Sequence, residues 1–340
     1  MARTKKITST LDISVFIPTY NGEEYLADLL SSVFSQNTKL SYEVIIIDSG
    51  SSDATLSVVD GFPKVRLYTI PNSEFGHGKT RNEAAKLAKG QYMVYLSQDA
   101  VPATDKWLES IIEPFLLSDQ VYCVYGKQTP RPYADAPTKR EVSGVFNSLG
   151  PDHSIMINRK KCLVTNKDVE EYLTFFSDVN SAVRRDYLLQ KIPYRDVSYS
   201  EDQLLGSDVV EAGYLKAYAP RANVWHSNEY SLRDYFYRKF DEYLGMYRVL
   251  GVLPTGGRLA HIKRWARDTS FDLIFTVHDS DYSIYEKLHN IATSWVRNYY
   301  RQKASLMVLN PRYRDPRLSN EFSLEKRNSP TPGDHSSQES

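Results

Sequence analysis

Through the first hundred residues, short β-branched runs alternate with stretches whose apolar residues return every three or four positions. DISVFIP (12–18) predicts a buried strand. In NGEEYLADLLSSVFSQ, residues Tyr25, Leu26, Leu29, Leu30, Val33 and Phe34 share one helical face, with Asn21 placed to cap it. YEVIIID (42–48) is a second strand, and the small and capping residues of SGSSDAT open another helix. VRLYTI (65–70) is a third strand. A glycine-rich EFGHGKTRN then leads into EAAKLAKG, read as a helix closed by Gly90, and QYMVYLS (91–97) is a fourth strand. Strands alternating with helices imply parallel pairing in an α/β sheet.

The pattern continues as a helix over 104–117, a strand over 121–126 and an irregular stretch over 127–177, where TPRPYADAP and GPDHS predict loops, some of them mobile. SDVNSAVRRDYLLQKIPY reads as strand then helix, SYSEDQLLGSDVVEAGY as loop then helix, and LKAYAPRANVWH as the strand that closes the sheet. Beyond Ser231 the texture changes to Tyr- and Arg-rich helical segments at 231–250, 258–277 and 282–305. Residues 318–340 are polar with few apolar anchors and are expected to be disordered. The expected organisation is a catalytic domain over 1–230, a helical region over 231–317 and a tail over 318–340. Within the first, a donor-binding half spans about 12–102 and an acceptor-side half about 103–230.

Composition narrows the function classes. With 340 residues, 41% of them hydrophobic, the chain can bury a sizeable core. Lys plus Arg equals Asp plus Glu at 42 each, so no overall field favours nucleic acid. Cys123 and Cys162 lack the spacing of a disulfide framework or a zinc site, which points to a reducing compartment. The basic N-terminus carries only a short apolar run ended by proline, so neither a signal peptide nor a membrane span is expected, and the reading is cytoplasmic.

In open α/β sheets ligands sit beyond the carboxyl ends of the strands. Here those positions are Pro18, Thr19, Tyr20 and Asn21 with Glu23; Asp48 with Ser49 and Gly50; the segment from Phe75 to Arg81; and Gln98 with Asp99. None of these turns is G-x-G-x-x-G, which argues against a dinucleotide cofactor. Gly76 and Gly78 allow close backbone approach, and Lys79 and Arg81 offer donors to a diphosphate. Cations at a helix start oppose its dipole unless an anion sits there. Asp99 stands as a single carboxylate, since Ala100 follows it.

Four motifs in order, VFIPTYNGEEYLADLLSSVFSQ, EVIIIDSGSSDAT, the Arg81–Asn82 pair and SEDQLLG, resemble family 2 glycosyltransferases of the GT-A fold over about residues 12–230. NSEFGHGKTRNEAAKLAKGQYMVYLSQDAVP further resembles the rhamnosyltransferase branch, in which Q-D-A replaces D-x-D. The implied fold is α/β with a mostly parallel central sheet flanked by helices and a C-terminal helical extension. The implied reaction is an inverting transfer from a nucleotide-diphospho-sugar, dTDP-L-rhamnose by preference, to a hydroxyl of a glycan on a lipid carrier. In that frame Asp48 accepts from the imide N–H of the base, Pro18, Thr19 and Tyr20 shape the base slot, and Glu23 binds the ribose. The alternative for Asp48 is a turn cap. Asp202 is the general base with Glu201 beside it, and the alternative is helix capping after Ser200. Asp99 would hold Mn²⁺ or Mg²⁺ with His226 as second ligand, while Gln98 binds ribose or phosphate. His226 beside Trp225 reads equally as a packed histidine. His77 and Trp107 are candidates for a sugar or acceptor contact, or for packing. The acceptor region is expected over 127–177, with Arg131, Arg140, His153 and Arg159.

Between residues 233 and 317, fifteen Lys or Arg stand against nine Asp or Glu. HIKRWAR and WVRNYYRQK fit helices facing anionic lipid, or helices packed on the catalytic domain or a second subunit. Rival readings are the same fold using a UDP- or GDP-hexose, and a non-catalytic nucleotide-binding scaffold, for which Ala100 argues. A nucleotidyltransferase would need a glycine-rich basic loop directly after the first strand, which this sequence lacks.

Overall fold

A computed structural model describes residues 10–324 apart from 163, 165, 198 and 229. In chain order the elements are β1 (Leu11–Thr19), α1 (Glu23–Phe34), β2 (Tyr42–Asp48), α2 (Thr55–Asp60), β3 (Val65–Thr69), α3 (His77–Leu87), β4 (Gly90–Leu96), β5 (Val101–Pro102) and α4 (Trp107–Leu117). There follow β6 (Val121–Thr129), α5 (Ala136–Ser148), β7 (Met156–Asn158), α6 (Lys167–Thr174), β8 (Asn180–Arg184), α7 (Arg185–Gln190), α8 (Glu201–Glu211) and β9 (Leu215–Trp225). The last helices are α9 (Leu232–Leu250), α10 (Arg258–His278), α11 (Ile284–Leu309) and α12 (Pro316–Ser319). The chain forms two compact units, one of residues 1–131 and 141–227, the other of 132–140 and 228–340.

The first unit is built on one sheet in the order β3-β2-β1-β4-β8-β6-β9-β5, with β7 also paired to β9. The α/β class holds. The β3-β2-β1-β4 part and the β6–β9 pair are parallel, and β8 runs antiparallel to both β4 and β6 between them. Strand alternation divides the core into two layers. Ile13, Val15 and Ile17 pack with Leu26, Leu29 and Leu30 of α1, whereas Phe16 joins Ala84 and Ala85 of α3 on the opposite face. Burial on both faces is why these strands read as continuous apolar runs.

Register determines which residues meet at the strand ends. Thr19 is level with Asp48, and Asp48 with Thr69. Because β8 enters antiparallel, its first residue Asn180 pairs with Leu96, the last residue of β4. The segment before β8 therefore arrives where the parallel strands end.

Four local expectations change. Gly22, not Asn21, holds the N-cap position of α1, and Asn21 adopts φ 47°. Gly90 opens β4 rather than closing α3, and a Cβ there would stand 2.4 Å from the Ile13–Ser14 backbone, which only glycine avoids. The stretch 127–177 contains α5, β7 and α6 between its loops. Residues 318–324 are structured, with Phe322 packed against Phe236 and Phe240; the rest of the expected tail, 325–340, lies outside the described residues.

The second unit is helical, with a core of Phe236, Phe240 and Leu244 of α9 against Ala304 and Val308 of α11. Among the described residues no helix is long and apolar enough to cross a membrane.

Candidate active site

At the ends of β1 and β2 two loops are laced together. The buried Asp48 carboxylate accepts four hydrogen bonds, from Gly50 N (3.0 Å), Ser51 N (2.9 Å), Thr19 Oγ1 (2.9 Å) and Ser51 Oγ. Asn21 Oδ1 accepts from Ser52 N at 2.8 Å, and its own N–H donates to Ser51 Oγ. Glu23 Oε2 accepts from Ala54 N at 2.7 Å, while Glu23 N donates to Asp53 Oδ2 at 3.2 Å. Ser49 is buried and bonds back to Thr19 O. These groups organise the loops. The imide contact expected of Asp48 would displace a bond already made, whereas Glu23 is exposed and bonds Ala54 through Oε2, which is compatible with a ribose contact at Oε1.

Gln98 is committed in the same way. Its Oε1 accepts from Tyr20 N (2.9 Å) and its Nε2 donates to Tyr20 O (3.1 Å), so it latches the β1–α1 loop instead of presenting its amide to a nucleotide. Pro18 and Tyr20 are half-buried, and Gly50 and Lys79 are exposed. Gly78 packs so closely on the Arg195 carbonyl that a Cβ would lie 2.2 Å from the oxygen, which accounts for that glycine without a phosphate.

Asp99 and His226 do come together, at 3.4 Å between Oδ2 and Nε2. The pairing follows from β5 and β9, whose antiparallel register sets Val101 against Trp225. His226 Nδ1 lies 3.0 Å from Gln128 Oε1, whose amide nitrogen is held by Ser177 Oγ. With the Nδ1 proton on that bond, the Nε2 lone pair faces the Asp99 carboxylate. Two acceptors so close call for a cation between them, either a proton or a metal ion, and an orienting partner on the far nitrogen suits ligation. Burial alone would raise the Asp99 carboxyl; His226, then Arg131, outweigh it and hold the group below its ordinary value. Arg131 is buried, donates to the Asp99 and Ser227 carbonyls, and lies 3.8 Å over the Tyr25 ring.

The third cluster is acidic. Arg81, the expected diphosphate donor, is instead buried, with Nη1 2.7 Å from Glu201 Oε1 and Nε 3.1 Å from Asp178 Oδ2. Its guanidinium lies near the rings of Tyr95 and Tyr194. Asp178 also accepts from Ser181 Oγ (2.6 Å) and Tyr194 OH (2.8 Å). Asp202 accepts from Gln203 N (2.7 Å) and Asp178 N (3.3 Å). Ser200, just before them, adopts φ 60° and gives no side-chain cap to α8, so no capping box forms with Gln203 at N3. Burial first, then Glu201 and Asp178, push the Asp202 carboxyl up to about 8 against the opposing pull of Arg81. Burial likewise raises Asp178.

The strand ends and helix starts of one sheet thus present a carboxylate–imidazole pair, an acidic cluster around one guanidinium and an exposed lysine, with no dinucleotide turn. Residues 14–190 match the model of the family described as glycosyl transferase family 2. The chain belongs to that family. This glycosyltransferase is 29% identical over 238 residues to the O-antigen chain rhamnosyltransferase RfbN of Salmonella typhimurium, covering 68% of this chain and 71% of that protein. It is 31% identical over 232 residues to the O-antigen chain rhamnosyltransferase WbaN of Salmonella anatum, covering 67% and 70%. Among solved structures, the mannosyltransferase PcManGT from Pyrobaculum calidifontis, in complex with GDP-Man and Mn²⁺, aligns with a TM-score of 0.56 at 16% identity over 90% of each chain. The glucosyl-3-phosphoglycerate synthase of Mycobacterium tuberculosis aligns at 0.50 and 17% identity over 73% of this chain and 81% of that one. The likeness is of fold, and the fold is of the GT-A type.

The remaining candidates of this glycosyltransferase fall outside the clusters. Trp107 is fully buried, its indole N–H donating to Asn180 Oδ1 at 2.9 Å, so it belongs to the core and cannot wall a sugar. His77 stacks edge-on against Phe75 at 5.0 Å, and its carbonyl accepts from Arg81. Arg140 is ion-paired to Asp272 in the second unit, whereas His153 and Arg159 are exposed. Asp178 and Gln128, which orient Asp202 and His226, were not singled out from sequence. For Asp178 a signal existed: a carboxylate directly before the apolar run VNSAV must lie at a strand end.

Proposed function

We propose that this glycosyltransferase moves L-rhamnose from dTDP-L-rhamnose to a hydroxyl of a growing, lipid-linked cell-surface polysaccharide, with inversion, at the cytoplasmic face of the membrane. The observation that carries the donor and acceptor is the similarity to two O-antigen chain rhamnosyltransferases over two thirds of the chain. The transfer chemistry is assigned to residues 1–230, with donor binding over about 12–102 and acceptor binding over 103–230, and residues 231–317 form the C-terminal helical region.

In this reading the acceptor hydroxyl gives its proton to Asp202 as its oxygen bonds to the anomeric carbon. The bond from that carbon to the diphosphate breaks on the opposite face, and the electron pair leaves with dTDP. Asp202 fits the role because burial and neighbouring carboxylates raise its proton affinity, and the Asp178 N–H aims it. Such a base is worth about 10²–10⁴-fold. Glu201 and Asp178 share Arg81 beneath it and act as positioning residues.

Asp99 and His226 would hold the divalent cation, and the mixed oxygen and nitrogen donors favour Mn²⁺ over Mg²⁺. Among the described residues no group of three or more acidic, His or Cys side chains could hold a metal, so the diphosphate has to complete the set. When bound, such an ion neutralises charge on the departing diphosphate. Lys79, exposed at the start of α3, supplies a further cation. Tyr20 and Pro18 line the base slot, while Asp48, Glu23 and Asn21 hold its loops in shape.

The test is Asp202→Asn. Rhamnosyl transfer should fall at least about 100-fold while the Kd for dTDP changes less than about threefold. Transfer at the wild-type rate would remove Asp202 from this role.

A further inference from the structure

The helical hairpin α10–α11 carries its polarity inside out. Its buried positions on α10 are His261, Asp268, Thr269, Asp272 and Thr276. On α11 they include Asn290, Ser294, Asn298 and Gln302. These groups satisfy one another: Asn298 Nδ2 donates to Asp272 Oδ2 at 2.6 Å, Arg140 pairs with the other oxygen, and His261 Nε2 meets Ser305 Oγ at 2.9 Å.

The outward positions are apolar. On α10 they are Leu259, Ile262, Ala266, Leu273 and Val277, which recur at helical spacing on one face. On α11, Leu288, Ala292, Trp295 and Tyr299 repeat at i, i+4, i+7 and i+11. Leu259 is 77% exposed, Ile284 80% and Leu288 64%. So many large apolar side chains on a polar-cored hairpin need an apolar cover.

Charge says what kind. Arg258 and Lys263 lie beside the α10 stripe and Lys303 on the α11 side, all exposed, whereas the Arg267 guanidinium is paired to Asp268 at 2.9 Å. Of the acidic residues of these helices, Asp268 and Asp272 are buried, Asp268 pairing with Arg267, and the exposed Glu286 closes the capping box with Ser283 at the start of α11. A second copy of this face would offer its cations a single exposed carboxylate from the two helices, Glu286. An anionic lipid surface offers both an apolar layer for the stripe and phosphates for the lysines and arginines.

We infer that the outward face of α10 and α11 is a docking surface for an anionic membrane, entered by Leu259, Ile262, Leu273, Leu288 and Trp295 and held by Arg258, Lys263 and Lys303. It binds peripherally, in keeping with helices too polar to span a bilayer. The inference is independent of which sugar is moved, so its failure and that of the donor assignment are read in separate assays.

The experiment is flotation of the full-length protein with phosphatidylglycerol-containing vesicles and with phosphatidylcholine vesicles. The wild type should float with the anionic vesicles at least about tenfold more than with the neutral ones, and salt should release it. Ile262→Ser with Leu288→Ser, and separately Arg258→Glu with Lys263→Glu, should each reduce flotation about tenfold or more. All four positions are exposed, so the thermal midpoint and donor-nucleotide binding should stay at wild-type values, which separates lost docking from misfolding. Flotation unchanged in both variants would overturn the inference. So would a wild type that ignores vesicles but sedimentates as a dimer that the apolar variant makes monomeric.

Discussion

Arg81 Nη1 lies 2.7 Å from Glu201 Oε1, joining the start of α3 to the start of α8 across 120 positions of sequence. The same guanidinium reaches Asp178, which directs a backbone N–H at Asp202. One buried cation therefore compensates the carboxylates gathered at this end of the sheet. Removing one partner of a buried ion pair leaves uncompensated charge, which costs about 3–5 kcal/mol. Arg81→Met is expected to lower stability by about that amount in urea unfolding, with or without nucleotide. If Arg81 served the diphosphate alone, the unfolding midpoint without nucleotide would not move and only dTDP affinity would fall.

A second prediction concerns pH. Burial, then Glu201 and Asp178, hold the Asp202 carboxyl up near 8, so the free enzyme keeps its base protonated at neutral pH. A general base must be ionised to act, so kcat/KM should rise as pH increases through this region and level off above it. Glu201→Gln removes one of the charges that disfavour ionisation. Its acid limb should move to lower pH, by about one unit. An acid limb in the ordinary carboxylate range in the wild type, or one unmoved in the variant, would contradict the assignment.

The pair Asp99–His226 makes a third prediction. Mn²⁺ binding in the presence of dTDP, followed by electron paramagnetic resonance, should weaken about tenfold or more in Asp99→Asn and in His226→Ala. Gln128→Ala should weaken it less, because Gln128 only fixes the imidazole through Nδ1. Equal Mn²⁺ affinity in all three variants would leave Asp99 and His226 as a structural ion pair.

The strand ends were legible in the sequence because buried parallel strands write themselves as unbroken apolar runs. That logic reached Asp99 and His226, each just beyond such a run, whereas Asp202 was singled out only through the family resemblance of SEDQLLG. It did not reach what the polar residues there do for one another. Asp48 caps its own turn through Gly50 and Ser51, the alternative that the sequence offered, but its bond from Thr19 and those of Asn21 with Ser52 and Glu23 with Ala54 span about thirty positions, and no local pattern reveals such lacing. Arg81 was misread for a related reason: a cation at a helix start suggests an anion, and here the anions are Asp178 and Glu201, brought in by an antiparallel β8 that strand–helix alternation did not predict. The second unit's outward apolar stripes could be read as periodicity, but which face was inward required the structure, because the buried face is the polar one.

The most direct measurement of the central claim is a donor screen with a lipid-linked glycan acceptor, recording nucleotide release and the mass added to the glycan. The account predicts transfer of one deoxyhexose from dTDP-L-rhamnose, with release of dTDP, at a rate at least about tenfold above that with UDP- or GDP-hexoses. No transfer from dTDP-L-rhamnose, or faster transfer from another donor, would contradict it.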